Sequence, residues 1–378
     1  MGDSMGVDRG WTGASCAYLS FHLVNDAAQL VHTLAMCDMM TVLGIDAELL
    51  LAYPDGGFAT SPRELREQFG LENEPRVSWT PLHPNGWIAH ARLFLESYRA
   101  GGRHEVIYTR KALFALGALL GGARHVILEY HQLDSRRHRR LAFALARHSR
   151  RLRIVCISRR LAKLIAQDYG LDESSIIVEH TGTSLPIRYD HDARHHVGRR
   201  LVATYVGTFA PGRGLETIFA MADRCPEVDF VVVGGESPVE CVPANVDVRG
   251  RVAHGQVQAI LAQADILLMP YTRNVTLPGG KDGGTGEYCS PLKMFEYLSA
   301  GRPIIASPLP SIIEILVDGS NALLADELSV DEWVDALRSL ASDPELRTRL
   351  ARGAAETAER HTLERRIRRI FDEVWSRR

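Results

Sequence analysis

Short apolar runs alternate with stretches whose apolar positions recur every three to four residues along most of the chain. Residues 17–24 and 47–52 read as strands, and residues 27–43, introduced by Asn25 and Asp26 as an N-cap, read as the helix between them. The same rhythm predicts strands at 76–79, 105–108, 125–129, 154–157 and 176–179. Helices fall between them at 62–69, 87–100, 112–120, 135–147 and from Ser158 to about residue 169. Strands that alternate with helices predict a parallel, doubly wound sheet. From residue 185 to 200 the pattern stops in a polar, His-rich segment whose irregular spacing suits a hydrated linker better than a metal site.

A second series begins at Leu201, with strands at 201–206, 230–233, 246–248, 265–269, 303–306 and 322–324. Its helices are expected at 215–222, 257–263, 292–300, 311–316, 330–342 and 345–361. The chain therefore divides into residues 1–190, a linker at 191–200, a second Rossmann-like domain at 201–361, and a terminal amphipathic helix at 362–378. That helix carries Ile367, Ile370, Phe371 and Val374 on one face and is expected to close back on the first domain. The expected class is α/β, two doubly wound domains facing a central cleft.

A length of 378 residues suits two domains, and 46% hydrophobic content supplies both cores. A formal net charge of −2 argues against nucleic acid as a partner. Arg136 to Arg160 holds ten arginines and no acid, which reads as a solvated face or as a weak contact surface for an anionic acceptor or membrane. Six cysteines without CxxC spacing suggest neither a disulfide framework nor a zinc site, so a cytoplasmic protein is expected. Neither an apolar leader nor a membrane-length apolar stretch is apparent, leaving at most peripheral attachment.

Candidate chemistry collects in four loops at strand ends of the second domain. Tyr205-Val-Gly-Thr-Phe-Ala-Pro-Gly-Arg-Gly runs a buried strand into a loop with Gly207, Thr208, Gly212 and Gly214 and one cation, Arg213. Backbone there can approach a diphosphate closely while the guanidinium neutralises it, although a glycine turn after a strand is also common without any ligand. Arg251 and Val252 follow a short strand and can offer backbone groups to a base edge. Residues 278–287 are glycine-rich with Lys281, Asp282 and Glu287, and read as a ligand loop or as a plain mobile one. Ser290, Pro291, Leu292 and Lys293 open a short helix whose free N–H groups favour an anion, and Glu296 one turn later can accept from ribose hydroxyls or simply face solvent.

Taken in order, GTFAPGRG, VRGRV, AQADILLMP, SPLKMFEYLSAGRPIIAS and IIEILVDGSNALL resemble the donor half of glycosyltransferase family 4, the retaining GT-B enzymes that use nucleotide sugars. The resemblance continues more loosely in the first domain through EYH at 129–131, VCIS at 155–158 and HTGTS at 180–184. It implies that Glu296 is the second Glu of the family's E-x7-E pair, on the donor ribose. Tyr288 stands where the first Glu falls, with Glu287 one residue earlier. It also implies that Arg213 serves the diphosphate, with Thr208 where the family has an Arg and Lys293 or Lys281 as the compensating cation, and that His131 lies beside the reacting sugar carbon with Glu129 deeper on its strand. Asn25 and Asp26, standing where the family has a Gly-Gly loop, are assigned with Glu129 to the acceptor side.

The function so implied is retaining transfer of a sugar from a UDP- or GDP-linked donor to a glycan, lipid-linked or small-molecule hydroxyl. No DxD motif lies in an expected strand-end loop, so the reaction is expected to run without metal or other cofactor. A nucleotide-sugar-binding subunit of weak activity, or a nucleotide-sugar epimerase of the same architecture, remains open.

Overall fold

The computed structural model describes residues 10–21, 28–54, 59–133, 137–188, 199–236, 241–275 and 285–376. It divides into two compact units: residues 1–157, 161–179 and 363–378 form the first, and residues 158–160 and 180–362 the second.

The first unit holds strands β1 (Ser15–Leu19), β2 (Asp46–Pro54), β3 (Arg76–Leu82), β4 (Val106–Thr109), β5 (His125–Tyr130), β6 (Leu152–Cys156) and β7 (Ile176–Val178). They form one sheet in the order β3-β2-β1-β4-β5-β6-β7, parallel at every pairing. Helices α1 (Ala28–Val42), α2 (Pro62–Phe69), α3 (Gly86–Arg103), α4 (Ala112–Gly121), α5 (Arg137–Ala146) and α6 (Arg159–Tyr169) occur in the intervening segments. Strands β1, β4 and β5 are buried almost throughout, as a central parallel sheet requires. Helix α2 shows how local chemistry fixes its limits. Ser61 and Glu64 form a capping box, Pro62 fits the first turn, and Gly70 ends the helix at φ 66°.

Helix α12 (Leu363–Ser376) belongs to this first unit. Trp11 Nε1 donates to Asp372 at 2.8 Å, Trp11 packs edge-on against Phe371, and Arg366 reaches Glu129 at 2.7 Å.

The second unit holds β8 (Val202–Val206), β9 (Asp229–Val233), β10 (Val246–Arg249), β11 (Ile266–Met269), β12 (Ile304–Ala306) and β13 (Leu323–Leu324), in the order β10-β9-β8-β11-β12-β13. All of these pairings are parallel too. Its helices are α7 (Leu215–Arg224), α8 (His254–Gln263), α9 (Leu292–Ser299), α10 (Val330–Ser342) and α11 (Pro344–Arg360).

Several expectations need correction. Residues 180–188 lie in the second unit, because Thr181 bonds to Ser290, Thr183 pairs with Thr362 and Arg188 N–H donates to Ser299 O at 2.8 Å. Residues 311–316 form consecutive turns, since backbone bonds to Leu309 and Ile312 mix three- and four-residue spacing. The first strand ends at Leu19, and the expected cap Asn25-Asp26 lies outside the described residues, as do Lys281, Asp282 and most of the expected linker. Pro291 is the N-cap of α9 with extended backbone, one position earlier than a first-turn proline. Among the described residues no helix is long and apolar enough to cross a membrane. The arginine-rich run is used partly inside the fold: Arg151 donates to the carbonyls of Leu119 and Ala123 near the end of α4, and Arg140 pairs with Asp168.

Candidate functional site

In the second unit β8 ends at Val206 and passes into Gly207, directly facing Lys293 in the first turn of α9. A Cβ on Gly207 would overlap the Lys293 Nζ and Cε, so only glycine leaves this ammonium its place. Tyr205 OH donates to Thr208 O at 3.0 Å, fixing the turn. The Lys293 Nζ lies 3.5 Å from the centre of the Tyr205 ring, 5.1 Å from Tyr271 and 6.0 Å from Tyr297. It is buried and has no hydrogen-bond partner. Burial, reinforced by the Arg213 cation, holds the Lys293 amine well below its ordinary range, while Glu296 pulls the other way.

Arg213 stands 4.6 Å above the Tyr271 ring, and its buried Nε also lacks a hydrogen-bond partner. The loop carrying it is pressed against the end of β11. A Cβ on Gly214 would strike Pro270 O, and Gly214 itself adopts φ 75° as N-cap of α7. The sheet thus brings Gly207, Thr208, Arg213 and Lys293 into one cluster around three tyrosines. Two cations without a carboxylate hydrogen bond, beside a helix start that no side chain caps, form an arrangement suited to a polyanion.

Glu296 follows one turn later in α9, where its Oε1 is 2.8 Å from His254 Nε2 at the start of α8. Burial alone would lower the His254 pKa, but the hydrogen bond and charge of Glu296 raise it. The other expected donor residues are placed differently. Ser290 is engaged internally, its Oγ accepting from Thr181 N–H and its carbonyl from Thr181 Oγ1. Leu292 is half-buried at the start of α9, Val252 packs on the apolar core, and Arg251 is exposed. Glu287 pairs with Arg160 at 3.0 Å, and Tyr288 O accepts from Ser158 Oγ at 2.9 Å.

In the first unit Glu129 is wholly buried on β5. Its carboxylate accepts from Tyr108 OH, His131 Nε2 and Arg366 Nη2. Burial would raise its pKa, yet Arg366, His131 and Arg110 together hold it well below the usual carboxylate range. For His131 burial dominates, aided by Arg110 and opposed by Glu129, and its pKa falls to about 4. The ring is therefore neutral at pH 7, with Nε2 donating to the ionised Glu129 and Nδ1 left as an acceptor.

Sequence reasoning missed His254, the tyrosines 205, 271 and 297, and the partners Tyr108, Arg110 and Arg366. The tyrosines read as core residues, which they are. His254 had one usable signal, a polar residue three positions after Arg251 at a helix start.

Two parallel-sheet units of this topology are the fold class of the GT-B glycosyltransferases. The solved structure of Anabaena Alr3699/HepE in complex with UDP has a TM-score of 0.70 at 16% identity, covering 96% of this chain and 100% of that one. Residues 213–372 match the glycosyl transferase-like family. Uncharacterized glycosyltransferase MJ1178 of Methanocaldococcus jannaschii is 20% identical over 59% of the chain. D-inositol 3-phosphate glycosyltransferase of Nocardioides sp. is 27% identical over 46% of it. The matches span 60% and 33% of those two relatives' own lengths.

Proposed function

We propose that the protein is a retaining glycosyltransferase that takes a sugar from a nucleotide diphosphate donor held by its second unit and passes it to a hydroxyl acceptor. The observation that carries this reading is the pair of cations, half-buried Arg213 and buried Lys293, hydrogen-bonded to no carboxylate and set beside a glycine at the end of a parallel strand. A diphosphate supplies the missing negative charge, and Glu296 lies one helical turn on, at the right remove for ribose hydroxyls. The HepE structure with UDP supports a uridine donor by analogy.

As the leaving diphosphate gains charge, Arg213, Lys293 and the α9 N–H groups stabilise it, and no metal is needed for that task. The departing phosphate oxygen takes the acceptor proton on the same face, so configuration is retained without a separate base. His131, neutral and oriented by Glu129, accepts from a sugar hydroxyl through Nδ1 and positions it. The acceptor is a glycan, lipid-linked or small-molecule hydroxyl, and the protein works in the cytoplasm.

Calorimetric titration of UDP and GDP in excess EDTA, with a screen of nucleotide sugars for slow hydrolysis, tests the reading. Micromolar binding of one nucleotide that persists without metal, and hydrolysis of its sugar conjugate with retention, is expected. Binding that vanishes on chelation and returns with Mg2+ or Mn2+ would exclude the metal-free mechanism. Absence of nucleotide binding under all conditions would exclude the transferase.

A further inference from the structure

The charges around Glu129 do not balance. Arg366, Tyr108 and His131 already donate to both of its oxygens, and Arg366 alone neutralises it. Arg110 is a second guanidinium, and its Nη2 stands 3.6 Å from Glu129 Oε1, beyond hydrogen-bond reach. Its side chain is 8% exposed, and both Nε and Nη2 are buried with no partner. No other carboxylate of the described residues pairs with it. A buried guanidinium left in this state weighs against the fold, so its retention needs a reason other than stability.

His32, next to His131, is in the same condition. It is 4% exposed, neither ring nitrogen has a partner, and its ring centre is 6.1 Å from that of His131. Burial, with Arg110 and Arg366 nearby, keeps His32 neutral, so the ring offers one N–H donor. The unused groups are thus two guanidinium N–H donors and one imidazole donor around a surplus positive charge. That is the donor set for a carboxylate or a phosphate. His131, with a quarter of its side chain exposed, opens the cluster to solvent.

From this geometry we infer that Arg110 and His32 form a binding site for an anionic group, carboxylate or phosphate, carried by the acceptor. The inference rests on the transferase reading only for who carries the anion. The donor's own phosphates have Arg213 and Lys293 in the second unit. The acceptor hydroxyl is then selected by a charge some bonds away from it, and a neutral sugar or alcohol is a poor substrate.

The test uses the full chain with labelled histidine rings, following the His32 and His131 resonances by NMR as inorganic phosphate, and separately acetate, is added. Saturable shifts at both rings are expected, weakened about tenfold or more in Arg110→Gln, the loss of one charge-assisted contact, and unchanged in Arg213→Ala. Without added anion, Arg110→Gln is expected to melt no lower than the parent, because burying a guanidinium that makes no hydrogen bond costs at least as much as its 3.6 Å ion pair with Glu129 returns. Shifts that never saturate, or that survive Arg110→Gln, would overturn the site. So would a lower melting temperature for that variant, since Arg110 would then be a structural partner of Glu129. Paired acceptors that differ only in a carboxylate or phosphate identify the carrier, and equal use of the neutral member would overturn the acceptor assignment. Saturable anion binding with no sugar transfer from any nucleotide sugar would overturn the transferase reading while leaving the site in place.

Discussion

Replacing Lys293 by methionine separates what the residue does for the fold from what it does for the ligand. The stem keeps its length and the ammonium is lost from a place where it has no hydrogen-bond partner. Against it stands the contact with the Tyr205 ring at 3.5 Å, a cation–π interaction of about 2 kcal/mol when desolvated. The effective penalty for burying a charge is several kcal/mol, so the balance favours the variant by on the order of 1–3 kcal/mol. At roughly 2–4 °C per kcal/mol for a unit of this size, Lys293→Met should melt several degrees higher than the parent without ligand. Nucleotide affinity should move the opposite way. A charge-assisted bond to phosphate contributes about 1.5–3 kcal/mol, which corresponds to roughly 10- to 150-fold weaker UDP binding. Thermal melts with and without UDP read both quantities, because the ligand-induced rise in melting temperature reports the affinity directly. A variant that melts lower and binds UDP as tightly as before would refute the assignment and return Lys293 to the core.

Arg213→Ala should lower single-turnover transfer at saturating donor by about a hundred- to thousandfold, on the order of 3–4 kcal/mol, with Arg213→Lys recovering only part; a raised donor requirement at an unchanged rate would make Arg213 a binding residue alone. Arg366→Met should destabilise the protein by roughly 3–5 kcal/mol in denaturant titration, since Glu129 keeps only the distant Arg110 as a counter-charge. Stability should also fall steeply in mild acid. The unfolded chain protonates its histidines near pH 6.5, whereas folded His131 does so near pH 4 and buried His32 is also held well below its ordinary value, so unfolding takes up as many as two protons in that window. The slope is then up to about 2.7 kcal/mol per pH unit between roughly pH 6 and 4, and Glu48, lowered to about 2 by its hydrogen bond to His104, adds a loss below pH 4.5. Melting curves across this range check the slope, and a flat profile down to pH 4.5 would contradict the neutral burial of both rings.

Periodicity made most of the fold legible, because a parallel sheet leaves continuous apolar runs between helices with one wet face. Helices α2 and α10 begin and end at the expected residues, both capped by a serine side chain that the sequence displays openly. The misreading at 311–316 arose where apolar spacing is helical but each backbone bond is used by a turn. In the candidate site, Arg213, Lys293 and Gly207 stood out in the sequence because backbone beside a glycine can approach a phosphate closely and a cation there can neutralise it, although such a turn is also common without a ligand. What surrounds them did not. Tyr271, in the loop after β11, and Tyr297, in α9, are buried residues, and only distance to the Lys293 Nζ turns them into its cage. Arg366 was hidden for a related reason: a single arginine on the apolar face of a basic helix reads as surface charge until a carboxylate appears opposite it.

The first unit is assembled from pieces that lie far apart along the polypeptide, whereas the second is almost entirely one continuous segment. During synthesis the sheet of the first unit emerges early, with Glu129 at its centre, but Arg366 is made only after residues 180–362 have all been added. Until then the nascent sheet would bury a carboxylate whose principal counter-charge does not yet exist. The first unit is accordingly expected to be sealed last, by α12, after all the residues of the second unit have been made.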